Sequence, residues 1–230
     1  MLDPLRSEPA LIDQVRDTLV EAISVGRLLP GERLTQERVA SLLDVSRQPV
    51  SHALQLLKHH GLVVEHGRRG VVVAPLDGTR ILHLYEVRMA LDGLAARLAS
   101  HRVANGSATA DEIAAVRRAL DAGTALDASA DTIDLVRADV AFHRGLYELS
   151  GNPEIARTVA EQWPQFMRSM AAVLDTGERK PRIWQEHAAI LDAVLAGDGE
   201  TAERLAGDHA LRAGEAAKRR IDGLATKQEM

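Results

Sequence analysis

Leu11, Val15, Leu19 and Ile23 recur every four positions, the spacing of one face of an α-helix. Pro9 suits the first turn of that helix and Gly26 its end. Pro30-Gly31 reads as a turn, and Thr35 as the cap of a short helix that points Val39 and Leu42 inward. Asp44-Val45 leads into Ser46, a second capping position, which opens a helix running to about His60 with Pro49 in its first turn and Gly61 stopping it. Val50, Ala53, Leu54 and Leu57 share one face of this third helix, and Arg47, Gln48, Ser51, Gln55 and Lys58 share the other. Leu62–Glu65 and Val71–Ala74 then read as two strands around the Gly-flanked turn His66-Gly67-Arg68-Arg69-Gly70. Three helices and a β-hairpin predict a winged helix-turn-helix over residues 1–75.

Past Pro75 the pattern becomes purely helical. Segments 79–104, 109–126, 131–150, 153–175, 180–197 and 199–222 are apolar at helical spacing, with breaks such as Asn105-Gly106-Ser107 and Gly151-Asn152-Pro153 between them. The fold class expected is mainly α: a winged helix-turn-helix followed by an all-α bundle of about six helices over residues 76–230. Aromatic residues make up only 3% of the chain, which predicts a bundle core of Leu, Val, Ile and Ala with room for a small central cavity.

Composition narrows the class. The 230 residues are 46% hydrophobic and 27% charged, as in a globular protein. No run of 18 apolar residues occurs, and the start of the sequence lacks the basic-then-apolar pattern of a signal peptide, so a cytoplasmic protein with no membrane partner is expected. The absence of cysteine excludes disulfides and thiolate metal sites. The net charge of −5 comes entirely from residues 76–230, since residues 1–75 hold nine Lys/Arg and nine Asp/Glu. Within 46–70, Arg47, Lys58, Arg68 and Arg69 face only Glu65, which gathers positive charge where a phosphate-binding surface would need it. The polar face at the start of the third helix suits a major groove, and the Gly- and Arg-bearing hairpin tip suits a backbone or a narrow minor groove.

The helical half carries the other candidate chemistry. Asp139 and His143 stand four residues apart, one turn along a helix face, and His187 and His209 lie in separate amphipathic segments. These are the only histidines beyond Gly106. A carboxylate and three imidazoles from packed helices can ligate a divalent ion, zinc first and nickel, manganese or iron as alternatives. Taken singly, the same residues also fit an i,i+4 ion pair and ordinary surface or core histidines.

The run from Gly26 to Val73 resembles the DNA-binding domain of the GntR family of bacterial transcription regulators. The pattern is carried by Gly26-Arg27-Leu28-Leu29-Pro30-Gly31, Leu43-Asp44-Val45-Ser46-Arg47-Gln48-Pro49-Val50 and Ala53-Leu54 through Gly61-Leu62-Val63. The resemblance implies contacts to double-stranded operator DNA through Arg33, Thr35, Arg38, Ser46, Arg47, Gln48 and Ser51, with His66, Gly67 and Arg68 on the wing. Members of the family usually carry Arg-Glu where this chain has Ser51-His52.

Tyr85-Glu86-Val87-Arg88, Asp139 with Phe142-His143, Gly151-Asn152, Glu186-His187 and His209 are similar, in order and spacing, to the all-helical effector (FCD) domain of the FadR subfamily. That similarity implies a divalent metal on Asp139, His143, His187 and His209, and a small carboxylate effector contacting Arg88 and Asn152. Together the two resemblances imply a homodimeric repressor whose operator affinity responds to the effector. The alternative is a metal-dependent enzyme using the Asp/His3 set for hydrolysis, against which no further nucleophile or general base is apparent.

Overall fold

A computed structural model describes residues 9–67, 70–127, 130–174 and 180–228. The chain forms two compact units, Met1–Leu76 and Asp77–Met230.

The first unit packs α1 (Pro9–Ser24), α2 (Gln36–Leu43) and α3 (Arg47–His59) against a small sheet. Val15, Leu19 and Ile23 of α1 meet Val50, Ala53 and Leu57 of α3 in one core. Thr35 caps α2 by accepting a hydrogen bond from the Arg38 amide, and Asp44 ends it in the left-handed region at φ 52°. The predicted hairpin is β2 (Val63–Glu65) with β3 (Val71–Val73). A third strand, β1 (Arg33–Leu34), pairs antiparallel with β3 to give the order β1-β3-β2. Its two residues, between the Pro30-Gly31 turn and the α2 cap, are too few to show alternation in sequence.

Two local expectations are corrected. Leu42 is 71% exposed, because α2 turns Val39, Ala40 and Leu43 toward the core instead. Ser46 occupies the capping position of α3 with extended backbone, but its hydroxyl makes no capping hydrogen bond.

The second unit is all helical: α4 (Gly78–Ala104), α5 (Ala110–Ala125), α6 (Thr132–Leu149), α7 (Pro153–Ala160), α8 (Trp163–Leu174), α9 (Lys180–Leu195) and α10 (Gly199–Gln228). The segment 153–175, read as one helix, is two. Pro164 has no amide hydrogen to donate and is accepted only in the first turn of α8, so the chain restarts there. Asp77, Thr109 with Glu112, Asp131 and Asn152 cap the starts of α4, α5, α6 and α7.

The two longest helices, α4 and α10, pack antiparallel at close range. A Cβ on Gly93 would stand 3.1 Å from the Glu203 carbonyl oxygen, and one on Gly214 would overlap Tyr85 Cβ. An aliphatic core of Leu146, Leu149, Ile190, Leu191 and Val194 with small alanines of α4 and α10 fills one end of the unit. The aromatic residues are few but not scattered. Tyr85, Phe142, Tyr147, Trp163, Phe166 and Trp184 are all the aromatic residues of the chain, all buried, and Phe142, Trp163 and Trp184 pack against the histidines described next. The core is therefore aliphatic at one end and aromatic around the polar site, and not aliphatic throughout.

Candidate functional site

α6, α9 and α10 bring His143, His187 and His209 together, each buried, with one ring nitrogen of each within 4.8 Å of the others. His187 Nε2 and His209 Nε2 are 3.1 Å apart. Asp139, one turn before His143 on α6, places its carboxylate oxygens 3.6 Å from His187 Nε2 and 3.7 Å from His143 Nε2. Four ligands at ordinary zinc bond lengths of about 2.0–2.2 Å stand roughly 3.3–3.5 Å from one another in a tetrahedron. The three separations above, 3.1, 3.6 and 3.7 Å, fall near that value.

The outer nitrogens support the same reading. His209 Nδ1 is 2.8 Å from Glu186 Oε2, and His143 Nδ1 is 3.3 Å from Asp92 Oδ2. A carboxylate on the far nitrogen fixes ring and tautomer, leaving Nε2 with its lone pair for a metal. Among the described residues, both ring nitrogens of His143 are buried without a formed hydrogen bond, so Asp92 faces Nδ1 as a nearby charge and Nε2 points at the cluster. His187 has no such carboxylate: its ring stacks on Phe142 at 4.3 Å and meets Trp184 edge-on at 5.0 Å, so packing holds it. Buried donors with no partner are costly unless something occupies the point they face. The residues present fit a divalent ion.

Electrostatics favour neutral imidazoles at His187 and His143. Burial lowers the His187 pKa well below its ordinary value, with His209 and His143 adding to the effect; His143 is lowered by burial and by the Arg88 guanidinium. Burial alone would raise Asp92, but Arg88 beside it, helped by His143 and Tyr147, brings it down to about 2. The hydrogen bond from His209 likewise holds Glu186 at about 2 against its partial burial.

Arg88 is 2% exposed, its Nε 3.2 Å from Asp92 Oδ2. Burial opposes its charge, and Asp92 more than compensates. The guanidinium lies 5.0–5.4 Å from the ring centres of Tyr85, Trp163 and Phe166, within cation–π range. Arg88 thus opens the chain Arg88–Asp92–His143, and Tyr147 donates to the other oxygen of Asp92. A cavity of about 310 Å³ adjoins the cluster, lined by Arg88, Asp139, His143 and His209 among others. Asn152 lies elsewhere: its side chain accepts from the Glu154 amide as the cap of α7, and it does not line the cavity.

Asp92 and Glu186, which face the outer imidazole nitrogens, were not among the site residues expected from sequence. The signal for Asp92 is its spacing four residues after buried Arg88; for Glu186, adjacent to His187, the partner is 23 residues away on another helix.

In the first unit, Arg47, Gln48, Gln55 and Lys58 are exposed along α3 and Ser51 is half-buried, accepting from Gln36 Nε2 at 3.1 Å. The cations here are held by carboxylates: Arg47 by Glu37 at 3.2 Å, Arg38 by Glu32 at 2.8 Å, and Lys58 by Glu65 at 2.5 Å. Thr35 spends its hydroxyl on the α2 cap, and Arg33 is exposed on β1. His66 and Gly67 are exposed on the hairpin, where Gly67 takes φ 65°; Arg68 lies outside the described residues.

Comparison with known proteins decides what these two sites belong to. Residues 83–212 match the FCD domain, and residues 11–73 match the domain of bacterial regulatory proteins of the gntR family. The chain belongs to the FCD-domain branch of the GntR regulators. Among the relatives of this GntR regulator, the transcriptional repressor NanR of Cronobacter sakazakii is 27% identical over 220 residues, covering 86% of this chain and 82% of that protein. A protein described as the probable D-xylose utilization operon transcriptional repressor of Paenarthrobacter nicotinovorans is 29% identical over 196 residues, covering 85% and 84%. Of solved structures, a GntR regulator from Rhodococcus sp. RHA1 superposes with a TM-score of 0.74 at 27% identity, covering 93% of this chain and 98% of that one. E. coli McbR/YncC gives 0.75 at 19% identity over 92% and 95%, which supports the fold. The protein is a DNA-binding transcriptional regulator. The enzymatic alternative falls, because both matched families and these relatives are regulators. Among the described residues, no helix is long and apolar enough to cross a membrane.

Proposed function

We propose that this regulator is a cytoplasmic, homodimeric repressor whose grip on its operator is set by a small carboxylate bound at a divalent metal in residues 76–230, with residues 1–75 reading the DNA. The observation that carries the metal is the buried cluster of His143, His187 and His209, one ring nitrogen of each within 4.8 Å of the others, with Asp139 oxygens 3.6 and 3.7 Å from His187 and His143 and with Glu186 on the outer nitrogen of His209. Asp139, His143, His187 and His209 would hold the ion, zinc by preference of the donor set, with nickel, manganese and iron compatible. When bound, such an ion supplies coordination positions that a carboxylate oxygen can fill.

The chain's own residues then do the rest. Glu186 keeps His209 in the ligating tautomer, and the Asp92 carboxylate faces the outer nitrogen of His143 at 3.3 Å. Arg88, permanently charged and fixed by aromatic walls, presents a cationic donor to the cavity in which an effector carboxylate would sit. Helices α6, α9 and α10 each contribute to the site, so a ligand that draws on all three biases their packing. Operator affinity changes only as far as the ligand distinguishes the DNA-competent arrangement from the other. The NanR relative is described as a repressor and the xylose-operon relative as a probable one, which supports the same sign here. Two-fold pairing supports reading two half-sites, as helix-turn-helix proteins commonly do.

The test is fluorescence anisotropy on operator DNA captured from genomic fragments, with the full-length protein loaded with zinc or treated with chelator. Zinc-loaded protein should bind as a dimer and shift its affinity on adding a panel of small carboxylates. Identical affinity in every condition would refute effector control.

A further inference from the structure

The cavity beside the metal cluster changes character along its length. At the cluster end stand Arg88, Asp139, His143 and His209. Glu186 is engaged there by His209, Arg182 and Arg212, so those charges compensate one another. Away from the cluster the wall turns apolar. His187 and His209 meet at similar distances from the short turn between Leu195 and Gly199, so α9 and α10 run antiparallel. Ile183 lies one turn before His187 on α9, and Ala213 one turn after His209 on α10. Both therefore stand on the same side of the histidines. On α8, Met170 and Val173 continue along the helix from Trp163 and Phe166, which flank Arg88, and Ala216 of α10 extends the same wall. At the far rim Arg219 is already paired with Glu215 at 3.6 Å, both exposed, and calls for no further charge.

The apolar stretch offers almost nothing to a hydroxyl group. Among the described residues, no serine, threonine, asparagine or glutamine lines the cavity. Its one neutral hydroxyl belongs to Tyr85, and that proton is spent. Ser169 Oγ donates to the Phe166 carbonyl at 2.7 Å, so in its 3.2 Å contact with Tyr85 it accepts. A hydroxylated ligand would give up hydrogen bonds to water along this wall without replacing them, whereas a methylene gains by leaving water. Only the cluster end calls for an anion: Arg88 Nη2 is buried there without a hydrogen-bond partner among the described residues. We infer that the effector is a monocarboxylic acid with an unhydroxylated, apolar body. Its carboxylate faces the metal and Arg88, and its body lies against Met170, Ile183, Ala213 and Ala216.

This inference rests on the metal-and-carboxylate reading above and narrows its ligand class. The cavity, at about 310 Å³, is at the small end of the range of roughly 300–1,000 Å³ for small-molecule sites, which limits the length of that body.

The experiment is isothermal titration of zinc-loaded full-length protein with straight-chain monocarboxylates from acetate to octanoate, and with gluconate. Zinc content of every variant is measured in parallel. Affinity should rise by about fourfold per methylene, the ordinary gain for one buried CH2, and level off within the series. Hexanoate should bind about tenfold or more tighter than gluconate, which has as many carbons but carries hydroxyls. Ile183→Ser should weaken binding by a factor that grows with chain length. Ala213→Leu, which fills part of the apolar stretch, should make the series level off at a shorter chain. If acetate binds but added methylenes gain nothing, if gluconate matches hexanoate, or if both variants weaken acetate as much as octanoate, the apolar body is wrong and the metal-bound carboxylate stands. If no acid binds the zinc-loaded protein, both fail.

Discussion

His187 Nε2 on α9 and His209 Nε2 on α10 stand 3.1 Å apart inside the helical unit, facing the Asp139 carboxylate of α6. Two neutral imidazoles can share one hydrogen bond at that distance, but a third imidazole and a carboxylate converge on the same point. The shared hydrogen bond leaves His143 Nε2 without a partner; a metal satisfies all four. Burial is what makes the difference matter, because an unmet polar group here costs on the order of 1–3 kcal/mol.

The residues that orient the imidazoles should be nearly as important as the ligands. Asp92→Asn and Glu186→Gln keep shape but remove the charge on the outer nitrogens of His143 and His209. Each should weaken metal affinity by roughly 10–100-fold in competition with a chromogenic chelator. Wild-type affinity in both variants would show that packing alone orients the rings.

Acid should act in two stages. His187 and His143 are held neutral in the fold, with pKa values below the ordinary histidine value near 6.5. The unfolded chain therefore takes up protons first as pH falls. The stability they contribute is complete above about pH 6.5 and is lost below it. Asp92 and Glu186, held at about 2, contribute stability present above the ordinary carboxylate range near 4 and lost between 4 and 2. Metal retention should fail in the first stage, since protonated imidazole cannot ligate. Metal content and melting temperature measured from pH 8 to pH 4 should hold at 6.5 and fall together at lower pH; metal already lost at pH 6.5 would contradict the neutral-histidine account.

On the DNA face, the carboxylates paired with cations predict opposite effects of two kinds of substitution. Arg47→Ala should cost about 1–3 kcal/mol in operator binding and relax preference at one base pair. Glu37→Gln and Glu65→Gln release Arg47 and Lys58 for phosphate, so they should strengthen binding to random-sequence DNA and steepen the salt dependence by roughly one unit of slope per freed cation. Anisotropy across a salt series reads both. An Arg47→Ala protein that binds like wild type at matched salt would displace the recognition helix from its proposed role.

The seam between α4 and α10 gives a packing test. Alanine in place of glycine in a helix interior ordinarily gains up to about 1 kcal/mol. At Gly214 the added methyl would overlap Tyr85 Cβ, an atom fixed to the backbone and unable to swing away. Overpacking of that kind costs about 1–3 kcal/mol, so Gly214→Ala should lower the melting temperature. An unchanged or raised value would mean that the helices separate without penalty.

Much of this was legible in the residues. The four-residue repeat of Val15, Leu19 and Ile23 and the two-faced pattern of α3 set the first unit, because long periodic segments carry redundant information. The four proposed ligands were legible as residue types, since histidine is absent elsewhere beyond Gly106. What failed did so for local reasons. Leu42 was misplaced because α2, at two turns, offers too few positions to phase its stripe. The break before Trp163 was hidden inside an apolar run despite Pro164. The orienting pair Glu186–His209 could not be read at all, because it joins helices 23 positions apart whose rotation only packing decides. The aromatic cluster was missed because scarcity was read as absence from the core, whereas the few aromatics are concentrated around one site.

The central claim is that Asp139, His143, His187 and His209 form a divalent metal centre that ties α6, α9 and α10 together. Elemental analysis of purified full-length protein grown in metal-replete medium, beside its His187→Ala variant, tests it most directly. About one divalent ion per wild-type chain, with little in the variant and a lower melting temperature, is the result expected. Metal-free wild-type protein, with the variant equally stable, would contradict it.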